Sequence, residues 1–284
     1  MLCPLINAIK YKSHHRVYRL PNNKQRMLHT KGFEMNKKWL CLALLVSPTA
    51  MADNMINWWD ASVTALYGDN YDLAPSDSQT TFTFETAGDW KYGDWFAFQD
   101  VIYFNGNNGG KDSTTYGEIS THFSAGKILG KEIAIGPISD LSLALTFEEG
   151  EGPVKSWLYG LGMDLNVPYF SYFQLNTYRR HATGSDNISD GWQLTPAFRM
   201  DFPVGNSNIV FDGFFDWVFA TDEDAYETNF HFNPQLKYDL GAVVFGEHKK
   251  NKLFVGIEYD YWKNKYGVDG IDQNTYSVIA KYHF

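Results

Sequence analysis

Ionisable side chains recur at every second position in several stretches of this sequence. Asp140, Thr146 and Glu148 alternate with Leu141, Leu143, Leu145 and Phe147, and Gln193, Thr195, Arg199 and Asp201 alternate with Trp192, Leu194, Phe198, Met200 and Phe202. His231, Gln235, Lys237 and Asp239 do the same against Phe230, Phe232, Leu236 and Tyr238. A period of two puts successive side chains on opposite faces of a strand, so each stretch has one apolar and one polar face. The polar faces collect Glu85, Glu118, His122, Asp164, Asp212, Asp216, Glu258, Asp260 and Lys281 as well. Their chemistry is hydrogen bonding and charge, and the acids outnumber the bases. So many charges are too costly to bury dry. They must line water, pair with one another, or do both. Aromatics share that face at Phe214, Phe254 and Trp262. Rings beside carboxylates suit flat, polar-edged solutes, which stack and hydrogen-bond along their edges. Packing against an inward-folded loop explains the same rings equally well.

Catalytic readings are weak. No local motif couples the strand histidines His122, His231 and His283 to a nucleophile, and a lone strand histidine is a wall residue before it is a base. Asp222, Glu223 and Asp224 lack the spacing of a calcium loop. Asn105 to Gly110 is glycine-rich but lacks the lysine and hydroxyl residue that end a phosphate-binding loop. The sequence implies no metal and no cofactor, and no enzyme.

Twelve candidate strands position these side chains: Trp59–Tyr67, Thr80–Thr86, Asp94–Phe104, Tyr116–Ser124, Ile138–Glu148, Ser156–Asn166, Tyr169–Tyr178, Trp192–Phe202, Ile209–Phe219, Phe230–Leu240, Lys252–Trp262 and Asn274–Phe284. Asp94–Phe104 is the least regular, because Asp100 falls on its apolar side. Short turns at Asn166–Tyr169 and Pro203–Asn208 alternate with longer polar links near 68–79, 105–115, 179–191, 220–228 and 263–273. Aromatics gather at strand ends (Trp59, Tyr67, Tyr103, Trp157, Tyr159, Tyr178, Trp192, Trp217, Tyr259, Tyr261 and Tyr282), where rings favour a membrane–water interface. The fold expected is all-β, a transmembrane antiparallel up-and-down barrel of about twelve strands, with short periplasmic turns and longer external loops. A soluble β-protein, with the same aromatics as core, is the alternative.

Met35, Asn36, Lys37 and Lys38, then the apolar run Trp39–Val46 and the small residues up to Ala52, form a basic region, an apolar region and a cleavage pattern. That is a secretory signal peptide over 35–52, too short to span a bilayer as a helix. Residues 1–34 are read as an over-extended start, leaving 53–284 as the barrel. Both cysteines, Cys3 and Cys41, precede residue 53, which excludes a disulfide scaffold from the barrel. Beyond residue 52 the acids outnumber the bases by about two to one, so the chain has no basic footprint for nucleic acid. The final Phe284 ends an alternating strand, similar to the end signal of outer-membrane barrels.

Six motifs resemble the Tsx/OmpK family of nucleoside-specific channel-forming outer-membrane proteins. They are Trp58-Trp59, Asp94-Trp95-Phe96 leading to Phe104-Asn105-Gly106-Asn107, Gly136-Pro137, Tyr159-Gly160-Leu161-Gly162-Met163-Asp164, Asp190-Gly191-Trp192 and Phe215-Asp216-Trp217, in order over essentially all of 53–284. The resemblance implies a monomeric twelve-stranded barrel in the outer membrane, surrounded by lipid and lipopolysaccharide. It implies a narrow pore for nucleosides and deoxynucleosides, and loops that serve as phage or colicin receptors. On this reading Phe214, Phe254 and Trp262 would hold the base, while Glu85, Asp164, Asp216 and Glu258 would bind sugar hydroxyls or base edges. The rival readings are a closed surface-recognition or adhesion barrel without selective transport, and a barrel enzyme.

Overall fold

The computed structural model describes residues 55–106, 110–150, 154–184 and 189–284. The expected signal segment and the stretch before it lie outside these residues. Twelve strands follow one another: β1 (Ile56–Asp69), β2 (Ser78–Trp90), β3 (Gly93–Asn105), β4 (Ser113–Ser124), β5 (Ile138–Gly150), β6 (Lys155–Leu165), β7 (Tyr172–Ala182), β8 (Gly191–Val204), β9 (Ser207–Thr221), β10 (Asn229–Asp239), β11 (Leu253–Lys263) and β12 (Gln273–His283). Each pairs antiparallel with its neighbours in sequence, and β1 pairs with β12 to close the barrel. The seam runs from Ser62 opposite His283 to Asp69 opposite Tyr276. Just beyond it, the Phe284 amide donates to the Ala61 carbonyl at 3.0 Å. Closure leaves no strand edge unpaired, which is what lets a sheet sit in lipid.

Alternation assigns the faces. Ile119, Leu143, Leu161 and Val278 are each about three-fifths exposed on the outer wall. Tyr67, Tyr103, Trp157, Trp192 and Trp217 ring that wall towards the end away from the termini, and Trp59, Phe202 and Tyr282 do so at the end carrying them. The inner wall is the reverse. Thr64, Asp239, Asp260, Gln273 and Thr275 are buried there, whereas the buried apolar cluster is small, just Ala144, Leu158 and Tyr178. A sheet with apolar residues outside and carboxylates inside is inverted relative to a soluble β-protein, and only lipid stabilises it.

The structure corrects several details of the sequence reading. Tyr178 belongs to the inner wall, where its hydroxyl accepts from Thr146 at 3.3 Å, so it is no part of the aromatic girdles. In β3 the side carrying Phe96, Phe98, Asp100, Ile102 and Phe104 faces the lumen, because Phe98 lies opposite Glu85 and Asp100 opposite Thr83. Asp100 therefore sits where a charge belongs, and the surrounding apolar residues are the exception. The links do not simply alternate in length. At the end carrying the termini, the β2–β3 and β8–β9 turns are tight, but the β4–β5 and β10–β11 connections are long and hold the short helices α1 (Ala125–Leu129) and α2 (Leu240–Phe245). Leu240, which the alternation extends into β10, starts α2 instead. Asp239 caps it, accepting from the amides of Gly241 at 3.0 Å and Ala242 at 3.4 Å.

Candidate functional site: the lumen wall

The inner wall holds two kinds of carboxylate. Some are matched by a lysine or arginine of the same wall. Glu148 on β5 accepts from both terminal nitrogens of Arg180 on β7, at 2.8 and 2.7 Å, and Ser156 bonds the same guanidinium at 3.3 Å. Lys281 lies 2.6 Å from Glu85, Lys237 lies 2.7 Å from Asp212, and Arg199 lies 2.7 Å from Asp201. Lys237–Asp212 joins adjacent strands, Arg180–Glu148 and Lys281–Glu85 each reach across an intervening strand, and Arg199–Asp201 lies within β8. Glu85 is thus part of the wall's bracing, and Thr64 also donates to it at 3.3 Å.

The remaining carboxylates are held by neutral or histidine partners. Asp100 accepts from Thr83 at 2.6 Å, Glu118 from the Tyr116 hydroxyl, and Asp164 from Gln174 at 3.0 Å. Asp216 accepts from Gln193 at 2.8 Å and Thr195 at 2.6 Å, and Glu258 from Gln235 at 2.8 Å. Glu118 on β4 and Asp216 on β9 stand on opposite walls. Asp164 stands apart, at the end of β6 that leads into the turn to β7, while Asp100, Glu118, Asp216 and Glu258 form a belt with no lysine or arginine bonded to it among the described residues.

The expected aromatics separate into two places. Phe214 on β9 meets His231 on β10 edge-on at 5.3 Å, and His231 stacks on Trp262 of β11 at 3.9 Å with ring planes 10° apart. Asp216 and Trp262 flank His231 directly across the sheet on either side. Asp260 bonds the His231 Nε2 at 2.9 Å and Gln273 at 2.9 Å. The indole Nε1 of Trp262 is buried with no hydrogen-bond partner among the described residues. Phe254 is not in this cluster. It lies on the same strand as Trp262 but roughly 27 Å away at about 3.4 Å per residue, near the end carrying the termini, and packs against His283 at 5.6 Å.

The inward-folded loop, one of the two readings of these rings, is present above Trp262. Tyr266 from the β11–β12 loop contacts the indole at 4.9 Å. Tyr226 from the β9–β10 loop lies against Gly267, where a Cβ would come within 2.5 Å of its ring and where φ is +71°; glycine is required there on both counts. Lys265 is buried and donates to the Asp72 carbonyl of the β1–β2 loop at 2.8 Å. Three loops therefore interlock over one side of the mouth. Outside them, Arg179 bonds Asp222 and holds its carboxyl below the usual carboxylate range, so this tether of the β9–β10 loop persists until the pH falls through that lowered value.

Sequence reasoning missed two features. Phe96, Phe98 and Tyr116 form an aromatic run on the opposite wall, with Phe98 6.0 Å from Phe96 and 5.7 Å from Tyr116. Phe96 is 41% exposed although it points inward, so the lumen is open to solvent at its level. The histidines are also partnered, His122 by Asp94 at 2.7 Å and His283 by Asp60 at 2.6 Å. These partners lie far apart in the chain, and only strand register joins them. No serine or threonine hydroxyl is bonded to either ring among the described residues.

The family model described as "Nucleoside-specific channel-forming protein, Tsx" matches residues 54–284. The chain belongs to this family. The Tsx-family match spans the whole barrel, β1 to β12. "Outer membrane protein OmpK" of Vibrio parahaemolyticus is 22% identical over 273 residues, covering 88% of this chain and all of that protein. A second OmpK, from Vibrio parahaemolyticus serotype O3:K6 (strain RIMD 2210633), is 23% identical over 262 residues, covering 84% and 94%. Among solved structures, a NanC porin aligns with a TM-score of 0.48 at 10% identity, covering 78% of this chain and 98% of that one. A KdgM porin aligns with a TM-score of 0.45 at 11% identity, covering 78% and 99%. This Tsx-family chain is thus a channel-forming protein of the outer membrane.

Proposed function

We propose that this barrel carries nucleosides passively across the outer membrane, and that the station formed by Phe214, His231, Trp262 and Asp216 is where they dwell. The juxtaposition of rings, a carboxylate held only by neutral donors, and the unpartnered Trp262 Nε1 carries this reading. An aromatic face takes the base, the indole N–H meets an acceptor on its edge, and Asp216 accepts from a hydroxyl or amino group. The Tsx-family membership supports the same substrate class. Several weak contacts in sequence let a solute enter and leave quickly, as conduction requires.

Single-channel recording with added nucleosides tests this. Nucleosides should block the current, while free sugars and amino acids should not. Phe214→Ala combined with Trp262→Ala should raise the half-blocking concentration more than tenfold, since base stacking contributes about 1–3 kcal/mol per ring. Phe254→Ala should leave the block within about twofold, because that ring stands in a separate place. Block unchanged in the double variant would remove the station from the pathway, and a pore indifferent to nucleosides would discard the substrate class.

A further inference from the structure

The two long connections at the end carrying the termini share a composition that the pore does not use. In α2, Gly241 and Ala242 are buried against the barrel, while Val243, Val244 and Phe245 are more than half exposed. The chain then turns through His248, Lys249 and Lys250, all exposed. In the β4–β5 connection, Ile128 and Leu129 of α1 are likewise more than half exposed, and Lys131 follows them. Exposed aliphatics in water are unfavourable. Neither Lys131 nor Lys249 has an ion-pair partner among the described residues; Lys250 has only an exposed glutamate 3.5 Å away.

The charge is asymmetric in a chain that is acidic overall. The loops of the opposite rim carry Asp222, Glu223, Asp224, Glu227, Asp269 and Asp272. Short apolar segments followed at once by lysines are how a chain lies in a membrane interface, with the apolar face in the acyl boundary and the ammonium groups among phosphates. We infer that α1 and α2, with Lys131, Lys249 and Lys250, form an interfacial anchor that binds anionic glycerophospholipid in the leaflet on the side of the termini. Two observations choose this occupant: exposed aliphatics stand directly beside the lysines, and these two connections, net basic with Glu132 and Glu247 counted, are complementary to an anionic headgroup and opposite in charge to the other rim.

The test uses the purified protein in phosphatidylcholine vesicles containing a trace of spin-labelled lipid. The motionally restricted fraction should be about threefold larger for spin-labelled phosphatidylglycerol than for spin-labelled phosphatidylcholine. The preference should fall to near unity in the Lys131→Gln/Lys249→Gln/Lys250→Gln variant. In the unaltered protein it should collapse in roughly 1 M salt, where the Debye length is about 3 Å. Equal association of the two lipids with the unaltered protein would overturn the inference, as would a preference that survives either the triple substitution or the high salt.

Discussion

Replacing Asp100, Glu118, Asp216 and Glu258 with their amides should lower the ratio of cation to anion permeability by about tenfold or more. The reason lies in how the lumen's charges are matched. Glu85, Glu148, Asp201 and Asp212 each have a lysine or arginine bonded to them, so their fields are largely cancelled at short range. The four belt acids are held by Thr83, Tyr116, Gln193, Thr195 and Gln235, none of which carries charge. A lumen with low-dielectric walls focuses such a field, and a ring of carboxylates is how cation pores select. Reversal potentials measured across a salt gradient should be cation-selective in the unaltered protein and close to neutral in the quadruple variant. Neutralising Asp272, which is exposed in an outer loop, should change the potential little. A reversal potential unmoved by the four substitutions would mean that ions do not pass this belt.

The second large effect concerns the wall. Arg180→Met should destabilise the barrel by about 3–5 kcal/mol, the range seen when one partner of a buried pair is removed. Arg180 and Glu148 are both 7% exposed, and their two-pronged contact joins β5 to β7 across β6. Without the guanidinium, Glu148 is left directly opposite Glu118 with no cation beside it. The double variant Arg180→Met/Glu148→Gln should recover most of the loss, because it removes the stranded charge along with its partner. Urea unfolding in detergent micelles, followed by tryptophan fluorescence, measures both. If the single variant unfolds within about 1 kcal/mol of the unaltered protein, the pair is solvated well enough to be dispensable.

Much of the barrel is written in the order of residues, for a physical reason. A strand with lipid on one side and water on the other must alternate, so β5, β8 and β10 announce both themselves and their faces. β3 does not, because Phe96, Phe98, Ile102 and Phe104 point into the lumen while Trp95, Val101 and Tyr103 point out. With apolar residues on both faces the period carries no sign, and only pairing to β2 supplies it. The helices were illegible for a related reason. Leu240 continues the apolar phase of β10, and the break there depends on the Asp239 side chain accepting from backbone amides. The candidate site was legible as a face but not as a place. Alternation puts Phe214, Phe254 and Trp262 on the inner wall, whereas their height in the barrel follows from register between strands. The same holds for His122 with Asp94 and His231 with Asp260, partners that closure alone brings together.

The seam between β1 and β12 has a consequence for biogenesis. The hydrogen-bonding partner of the barrel's first strand is its twelfth, and the two meet across more than two hundred residues. Loop closure over that separation is entropically expensive and rewarded only at the end, so the barrel cannot mature progressively as it emerges from a translocon. Until residues 273–283 arrive, any partly zipped sheet has two open edges and an apolar outer face, which is the composition of an aggregating intermediate. Closure of the seam is therefore the late, cooperative step of folding. A chain stopped a dozen residues early would yield a sticky ribbon, with no smaller barrel to fall back on.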